Sequence, residues 1–135
     1  MGKTSYTKGK NFELALCNYL ADDNYYIIYN EKGITGSQPF DIVAIKNNIA
    51  TMIECKNLEN KGGKFPLSRI ESNQMLAFKR AKICGNHNFI LAICWNNNVY
   101  FLDFDILQFF DKYIDLKNIE PSIGDFYGDN YWFTN

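Results

Sequence analysis

Residues 39–56 read Pro-Phe-Asp-Ile-Val-Ala-Ile-Lys-Asn-Asn-Ile-Ala-Thr-Met-Ile-Glu-Cys-Lys. Two β-rich runs flank Asn47-Asn48, and asparagine tolerates the positive φ that a tight hairpin turn needs. With those two residues as the turn, 46 faces 49, 45 faces 50 and, continuing outward, Asp41 lands opposite Glu54. Side chains alternate along a strand, so Glu54 and Lys56 share one face and Cys55 points to the other. Directly opposed residues have Cβ atoms roughly 4.5–5.5 Å apart. Two carboxylates at that separation repel unless a divalent cation turns the repulsion into coordination. The stretch therefore reads as a metal site with an adjacent ammonium, suited to phosphodiester chemistry. The rival reading is an ordinary hairpin whose polar face carries solvated charges. Against it, Ile42, Val43, Ile45, Ile49, Met52 and Ile53 are too apolar for a freely exposed hairpin, and the register gathers the charged groups in one place.

Working outward, 135 residues suffice for one domain with a substantial core. An apolar content of 47% with 16% aromatic residues argues for a folded globule. No apolar run approaches the ~20 residues of a membrane span. The polar opening Met1-Gly2-Lys3-Thr4-Ser5 predicts no signal peptide, and Tyr6 stands where lipidation would want Ser or Thr. A cytoplasmic protein with reduced thiols is expected. Cys17, Cys55, Cys84 and Cys94 show no CxxC spacing, and with His87 as the one histidine a zinc cluster is not expected. Neither a small organic cofactor nor a membrane partner is expected. Charge is uneven: residues 1–82 hold 12 Lys and Arg against 8 Asp and Glu, and residues 83–135 hold 2 against 7. The basic half is the half with the carboxylate pair, as expected if a polyanion approaches there.

Residues 1–10, with Lys3, Lys8 and Lys10, read as a mobile basic arm, either a phosphate contact or a solvated terminus. Phe12, Leu16, Tyr19 and Leu20 make one face of a helix from Asn11 to about Asp22. Glu13 in its first turn either caps the helix or serves the site. Tyr25–Tyr29 reads as a buried strand, and residues 30–38, with Gly33 and Gly36, as a loop delivering the chain to Pro39 and Asp41. After Lys56 comes a flexible basic loop with Lys61 and Lys64. Ser68 and Glu71 fit a capping box opening a helix that runs to Gly85, its C′ residue, with Arg69, Lys79, Arg80 and Lys82 making it basic. Residues 88–95 are a central strand covered on both faces. Asn96-Asn97-Asn98 turn into a further strand, and Asp103 or Asp105 caps a last helix through Tyr113. The aromatic tail (Phe126, Tyr127, Tyr131, Trp132, Phe133) either packs on the domain or meets a partner. The order gives an α/β mixed sheet flanked by helices in one domain, residues 11–135 behind the arm.

Asp41, Glu54-Cys55-Lys56 across a hairpin and Glu13 on the preceding helix resemble the PD-(D/E)XK nuclease superfamily, whose fold is the restriction-endonuclease-like one. Phe65-Pro66-Leu67, Ile70 and Gln74 resemble the helix opening of RecU-type Holliday junction resolvases (the penicillin-binding-protein-related factor A family), and the likeness spans residues 9–127. Two positions depart from that pattern: Phe40 stands between the proline and Asp41, and Pro39 replaces a threonine. Residues 30–40 leave no room for the stalk that family inserts, so a compact form is implied. The resemblance implies a homodimeric, Mg²⁺-dependent endonuclease (Mn²⁺ substituting) that resolves four-way DNA junctions in recombination and repair. By position, Asp41, Glu54 and Gln74 would hold the metal directly or through water. Lys56 would stabilise the transition state or orient the attacking water, and Glu13 would support the site. Lys8, Lys10, Lys61, Lys64, Arg69, Lys79 and Arg80 are the expected phosphate contacts on branched double-stranded DNA. Two alternatives stay open: a sequence-specific restriction-type endonuclease, and a DNA-binding module whose site has lapsed.

Overall fold

The computed structural model describes the backbone of residues 5–30 and 40–129 and the side chains of residues 8–30 and 40–128. Lys3, the loop with Gly33, Gly36 and Pro39, and the aromatics Tyr131, Trp132 and Phe133 lie outside the described residues.

The elements run α1 (Ser5–Asp22), β1 (Tyr26–Tyr29), β2 (Ile42–Lys46), β3 (Ile49–Asn57), β4 (Lys64–Pro66), α2 (Ser72–Ile83), β5 (Phe89–Trp95), β6 (Asn98–Asp103) and β7 (Tyr113–Asp115). Five strands form one sheet in the order β1-β2-β3-β5-β6, while β4 and β7 pair as a separate ribbon. Within the large sheet β3 and β5 are parallel and the other neighbours antiparallel. This is the mixed sheet flanked by helices that the sequence predicts.

Both hairpins turn on asparagine pairs in the left-handed region, Asn47 and Asn48 at φ 54° and 66°, Asn96 and Asn97 at φ 52° and 63°. Positive φ at both central residues matches the turn to the right-handed twist of the strands. The first turn sets the expected register, Lys46 opposite Ile49 through to Ile42 opposite Ile53.

The period-2 alternation divides the sheet into two cores. Ile42, Ala44, Ile53, Cys55, Ala92, Cys94 and Val99 face α1, meeting Phe12, Ala15, Leu16 and Leu20. Phe89, Leu91, Ile93, Tyr100 and Leu102 face the other way, against Phe78 of α2, Phe104 and the ribbon residues Phe65 and Ile114. β5 contributes buried residues to both cores, as expected for a covered strand. Phe89 is the hub of the second core, with ring centroids 4.7 Å from Phe104, 5.8 Å from Phe78 and 6.0 Å from Phe40. After β7 the chain returns along β6, pairing Ile123 with Val99 and tucking Phe126 against Phe12 and Tyr19. The described part of the aromatic tail, Phe126 and Tyr127, thus packs on the domain.

Several local expectations are corrected. Residues 5–10, expected in the mobile arm, are the first turns of α1, and Lys8 is tied by a 3.1 Å ion pair to Glu59. Gly9 lowers helix propensity by about 1 kcal/mol, which makes this stretch read as non-helical, but a tertiary contact and the buried Phe12 just beyond it favour the helix. Glu13 consequently lies inside α1 and is not a capping residue. β1 is an edge strand with Tyr26 and Ile28 exposed, because only its inward face meets α1. Ser68 lies in a short 3-10 turn (Leu67–Arg69), and α2 begins at Ser72 with Glu71 as N-cap. Phe65, before a proline that disfavours helical backbone, lies in β4. Residues 104–109 form a 3-10 turn capped by Asp103, which then gives way to β7. Its buried residues Phe104 and Leu107 are three apart, the eclipsed spacing of a 3-10 turn.

Replacing the hub of the second core, Phe89→Ala, is expected to cost about 3–5 kcal/mol. Urea unfolding followed by circular dichroism measures it; a cost below about 1 kcal/mol would show that the ring cluster does not anchor the fold.

Candidate active site

Glu54 is placed by β3. Its strand neighbours Ile53 and Cys55 turn toward α1, so Glu54 and Lys56 turn toward α2. The Glu54 side chain is completely buried and that of Lys56 is 12% exposed. Lys56 Nζ lies 3.3 Å from Glu54 Oε2, and the same oxygen accepts a 2.6 Å hydrogen bond from Gln74 Nε2. Gln74 is fixed from its other end, because its Oε1 accepts the N–H of Glu71 at 2.9 Å. That backbone donor settles the amide orientation: nitrogen must face the carboxylate. Gln74 closes the capping box of α2 and presents a donor, not an oxygen, to the site. In this geometry it positions Glu54, and a direct bond from Gln74 to a metal would break the helix cap.

Asp41 lies just before β2, where the ladder ends. Its N–H donates to Ile53 O at 2.9 Å, its carbonyl accepts from Asn30 N–H at 2.8 Å, and its carboxylate Oδ2 accepts Cys55 N–H at 2.8 Å. Asp41 is therefore clamped onto the Glu54–Cys55 segment and is completely buried. The register brings Asp41 beside the Ile53–Cys55 segment, with a bend at Asp41 in place of one more ladder pair. Glu13 reaches the region from α1, its Oε1 accepting a 2.7 Å hydrogen bond from Tyr29 OH.

The neighbouring groups register this negative charge. The Cys17 thiol is pushed up to about 12 by burial, then by Glu13 and Asp41. Cys55 is raised well above the usual thiol value by burial first, then by Asp41, Glu13 and Glu54. Tyr29 is raised by burial and by its hydrogen bond to Glu13. Three carboxylates thus act on one locale. Among the described residues no three His, Cys, Asp or Glu side chains gather to enclose a metal by themselves. Two buried carboxylates with hard oxygen donors nevertheless suit a divalent cation that keeps water in its remaining positions. One oxygen of each is held by protein donors, Asp41 Oδ2 by Cys55 N–H and Glu54 Oε2 by Gln74 and Lys56. The donor set fits Asp41 and Glu54 as the residues that would hold such an ion.

The expected phosphate contacts separate into groups. Lys8 pairs with Glu59, and Arg69 donates from Nη1 to Asn57 O at 3.0 Å, both just beyond the end of β3 that carries Lys56. Lys61 is exposed on the following loop. Lys64 stacks over the Tyr113 ring at 4.7 Å on the separate ribbon. Lys79 and Arg80 are exposed five and six residues beyond Gln74 on α2, and Lys10 is half-buried on α1. Tyr29, Asn57 and Glu59 were not legible as site residues. Tyr29 meets Glu13, Glu59 meets Lys8 and Asn57 meets Arg69 only through the fold, and only the inward position of Tyr29 on a short strand gave any signal. At pH 8 we expect iodoacetamide to modify exposed Cys84 and to spare Cys17, Cys55 and Cys94, whose thiols are held protonated. Peptide mass spectrometry checks this, and rapid labelling of Cys17 would contradict the charge cluster.

Against known proteins, the family model for the archaeal Holliday junction resolvase Hjc matches residues 4–124. The structure of Hjc from Archaeoglobus fulgidus, a Holliday junction resolvase from an archaeal hyperthermophile, is similar with a TM-score of 0.60 and 22% identity, covering 87% of this chain and 97% of that one. The bacterial homing endonuclease I-Ssp6803I is similar with a TM-score of 0.57 and 15% identity, covering 95% of this chain and 86% of that one. At these identities the likeness to the two structures is one of fold. No curated protein sequence matches the chain. The finer likeness of residues 65–74 to RecU-type resolvases gains no support from these matches. The match of the family model over residues 4–124 means that the chain belongs to the archaeal Holliday junction resolvase (Hjc) family.

Proposed function

We propose that this protein is a metal-dependent DNA endonuclease that resolves four-way junctions by hydrolysing phosphodiester bonds, with Mg²⁺ as the working ion and Mn²⁺ able to replace it. The observation that carries the reading is the pair of completely buried carboxylates, Asp41 and Glu54, with Lys56 seated on Glu54. Burying two like charges costs stability, and such an arrangement is expected where chemistry needs it.

A divalent cation held by Asp41 and Glu54 would supply charge neutralisation at the scissile phosphate and a more acidic bound water. The chain's own residues supply the rest. Cys55 N–H holds the Asp41 carboxylate, and Gln74 holds Glu54 in the matching orientation. Lys56, on the same face as Glu54, offsets the negative charge that develops on the phosphate during attack. Tyr29 orients Glu13, which adds to the local negative potential. Cys17 and Cys55, the thiols raised by burial and by these carboxylates, are poor nucleophiles at neutral pH. A four-way junction offers two equivalent strands, so paired incision calls for two such sites, and a homodimer on branched DNA is the working assembly. A cytoplasmic location accords with this role.

The test is incubation of the purified protein with labelled four-way junction and matched linear duplex, with Mg²⁺ or with EDTA. Paired symmetric nicks on the junction alone are expected. Cutting of both substrates would leave a nuclease without junction selectivity, and no cutting with any metal would leave a binding module. Asp41→Asn should lower cleavage about 10³-fold while junction binding survives. Gln74→Ala should raise the metal concentration needed for half-maximal cleavage about 10–100-fold, with the rate at saturating metal close to that of the unmodified protein. A rate loss that metal does not restore would instead make Gln74 part of the chemistry.

A further inference from the structure

Beyond Lys56, β3 ends at Asn57, and the next turn sets Asn57 and the distant Lys8 on the Glu59 carboxylate, with Arg69 anchored on the Asn57 backbone beside them. Glu59 Oε1 accepts from Lys8 Nζ of α1 at 3.1 Å, and Glu59 Oε2 accepts from Asn57 Nδ2 at 2.9 Å. Arg69 is anchored on Asn57 O and feels the Glu59 charge. Both oxygens of one anion are thus held by donors from separate elements, an arrangement that also suits the two anionic oxygens of a phosphodiester. The cluster opens on a recess of about 540 Å³ lined by Lys8, Asn57, Glu59, Lys61, Trp95 and Tyr127. Asn57 is three residues beyond Glu54, about 10 Å along the strand, within reach of a nucleic-acid strand lying across the carboxylates.

We propose that Lys8, Asn57 and Arg69 form a phosphate subsite for the DNA strand leaving the scissile bond, and that Glu59 occupies this subsite in the free protein and is displaced when DNA binds. The inference rests on the nuclease reading above. Glu59 and Lys8 are each about two-fifths exposed at 40% and 42%, and exposed ion pairs are weak enough to be exchanged for a phosphate. Glu59 then acts as an internal competitor that lowers affinity for DNA and demands a phosphate at this position. The rival account is a surface pair that merely ties α1 to β3.

Fluorescence anisotropy of a labelled four-way junction with the full chain, in EDTA and over a range of salt concentrations, separates them. Glu59→Gln is expected to tighten binding about two- to fivefold and to steepen the dependence of log K on log salt by about one. Asp23→Asn is the control, since Asp23 makes a comparable exposed pair with Lys46 at 3.6 Å at the other end of the hairpin. It removes the same charge and should change little. Lys8→Gln introduced into the Glu59→Gln protein should erase the gain. The inference is overturned if Glu59→Gln binds no more tightly than Asp23→Asn, or if the gain survives loss of Lys8. Absence of junction binding by every variant, including the unmodified protein, would instead overturn the nuclease reading and the inference with it.

Discussion

The complete burial of Glu54 is the constraint to which the rest of the site responds. A carboxylate taken out of water is costly unless donors meet it. Here one donor is near in sequence, Lys56 on the same strand, and the other, Gln74, comes from the start of α2. Because Gln74 also caps α2 through the Glu71 N–H, the helix cannot begin elsewhere without releasing Glu54. Helix position and carboxylate orientation are thereby one decision. Asp41 is bound in the same way, through a backbone donor that belongs to the Glu54–Cys55 peptide segment itself.

The sheet gives this arrangement its two sides. Alternation sends Cys55 toward α1 and its neighbours Glu54 and Lys56 toward α2, so the end of β3 is read from both faces. On the α1 side lie Cys17 and the Glu13–Tyr29 pair, whose thiol and phenol are raised first by burial and then by the carboxylates beside them. On the α2 side, toward which Glu54 turns, lies the aromatic core around Phe89. β5 runs parallel to β3, so its pairing with the strand bearing Glu54 cannot be made by a tight turn and must await the intervening α2 segment. Rigidity at the site therefore depends on packing completed across the whole chain.

The hairpin at Asn47-Asn48 was legible because its determinants are local: a turn type that asparagine tolerates, and a period of two that fixes every partner once the turn is placed. Asp41, Glu54 and Lys56 follow from that arithmetic. The covered strand 89–95 was legible for a similar reason, an unbroken apolar run being intelligible only with both faces buried. Gln74 shows where such reading stops. Its place near the front of a helix was visible, but its role turned on which residue caps the helix, and Ser68-Glu71 offered a signal that the fold did not use. The first turns of α1 were lost to Gly9 and its polar neighbours, although a contact with Glu59 makes them helical.

Taken alone, the sequence determined the two-asparagine turns, the register that brings Asp41 to Glu54, the shared face of Glu54 and Lys56, and the mixed α/β character. All of these are set by φ preferences and by strand periodicity, which act over a few residues. Only the tertiary structure decided the partners of those side chains. Tyr29 on Glu13, Gln74 on Glu54 and Lys8 on Glu59 are pairs separated by 16, 20 and 51 residues. No local preference encodes them, because each pair meets only after the helices have docked on opposite faces of the sheet.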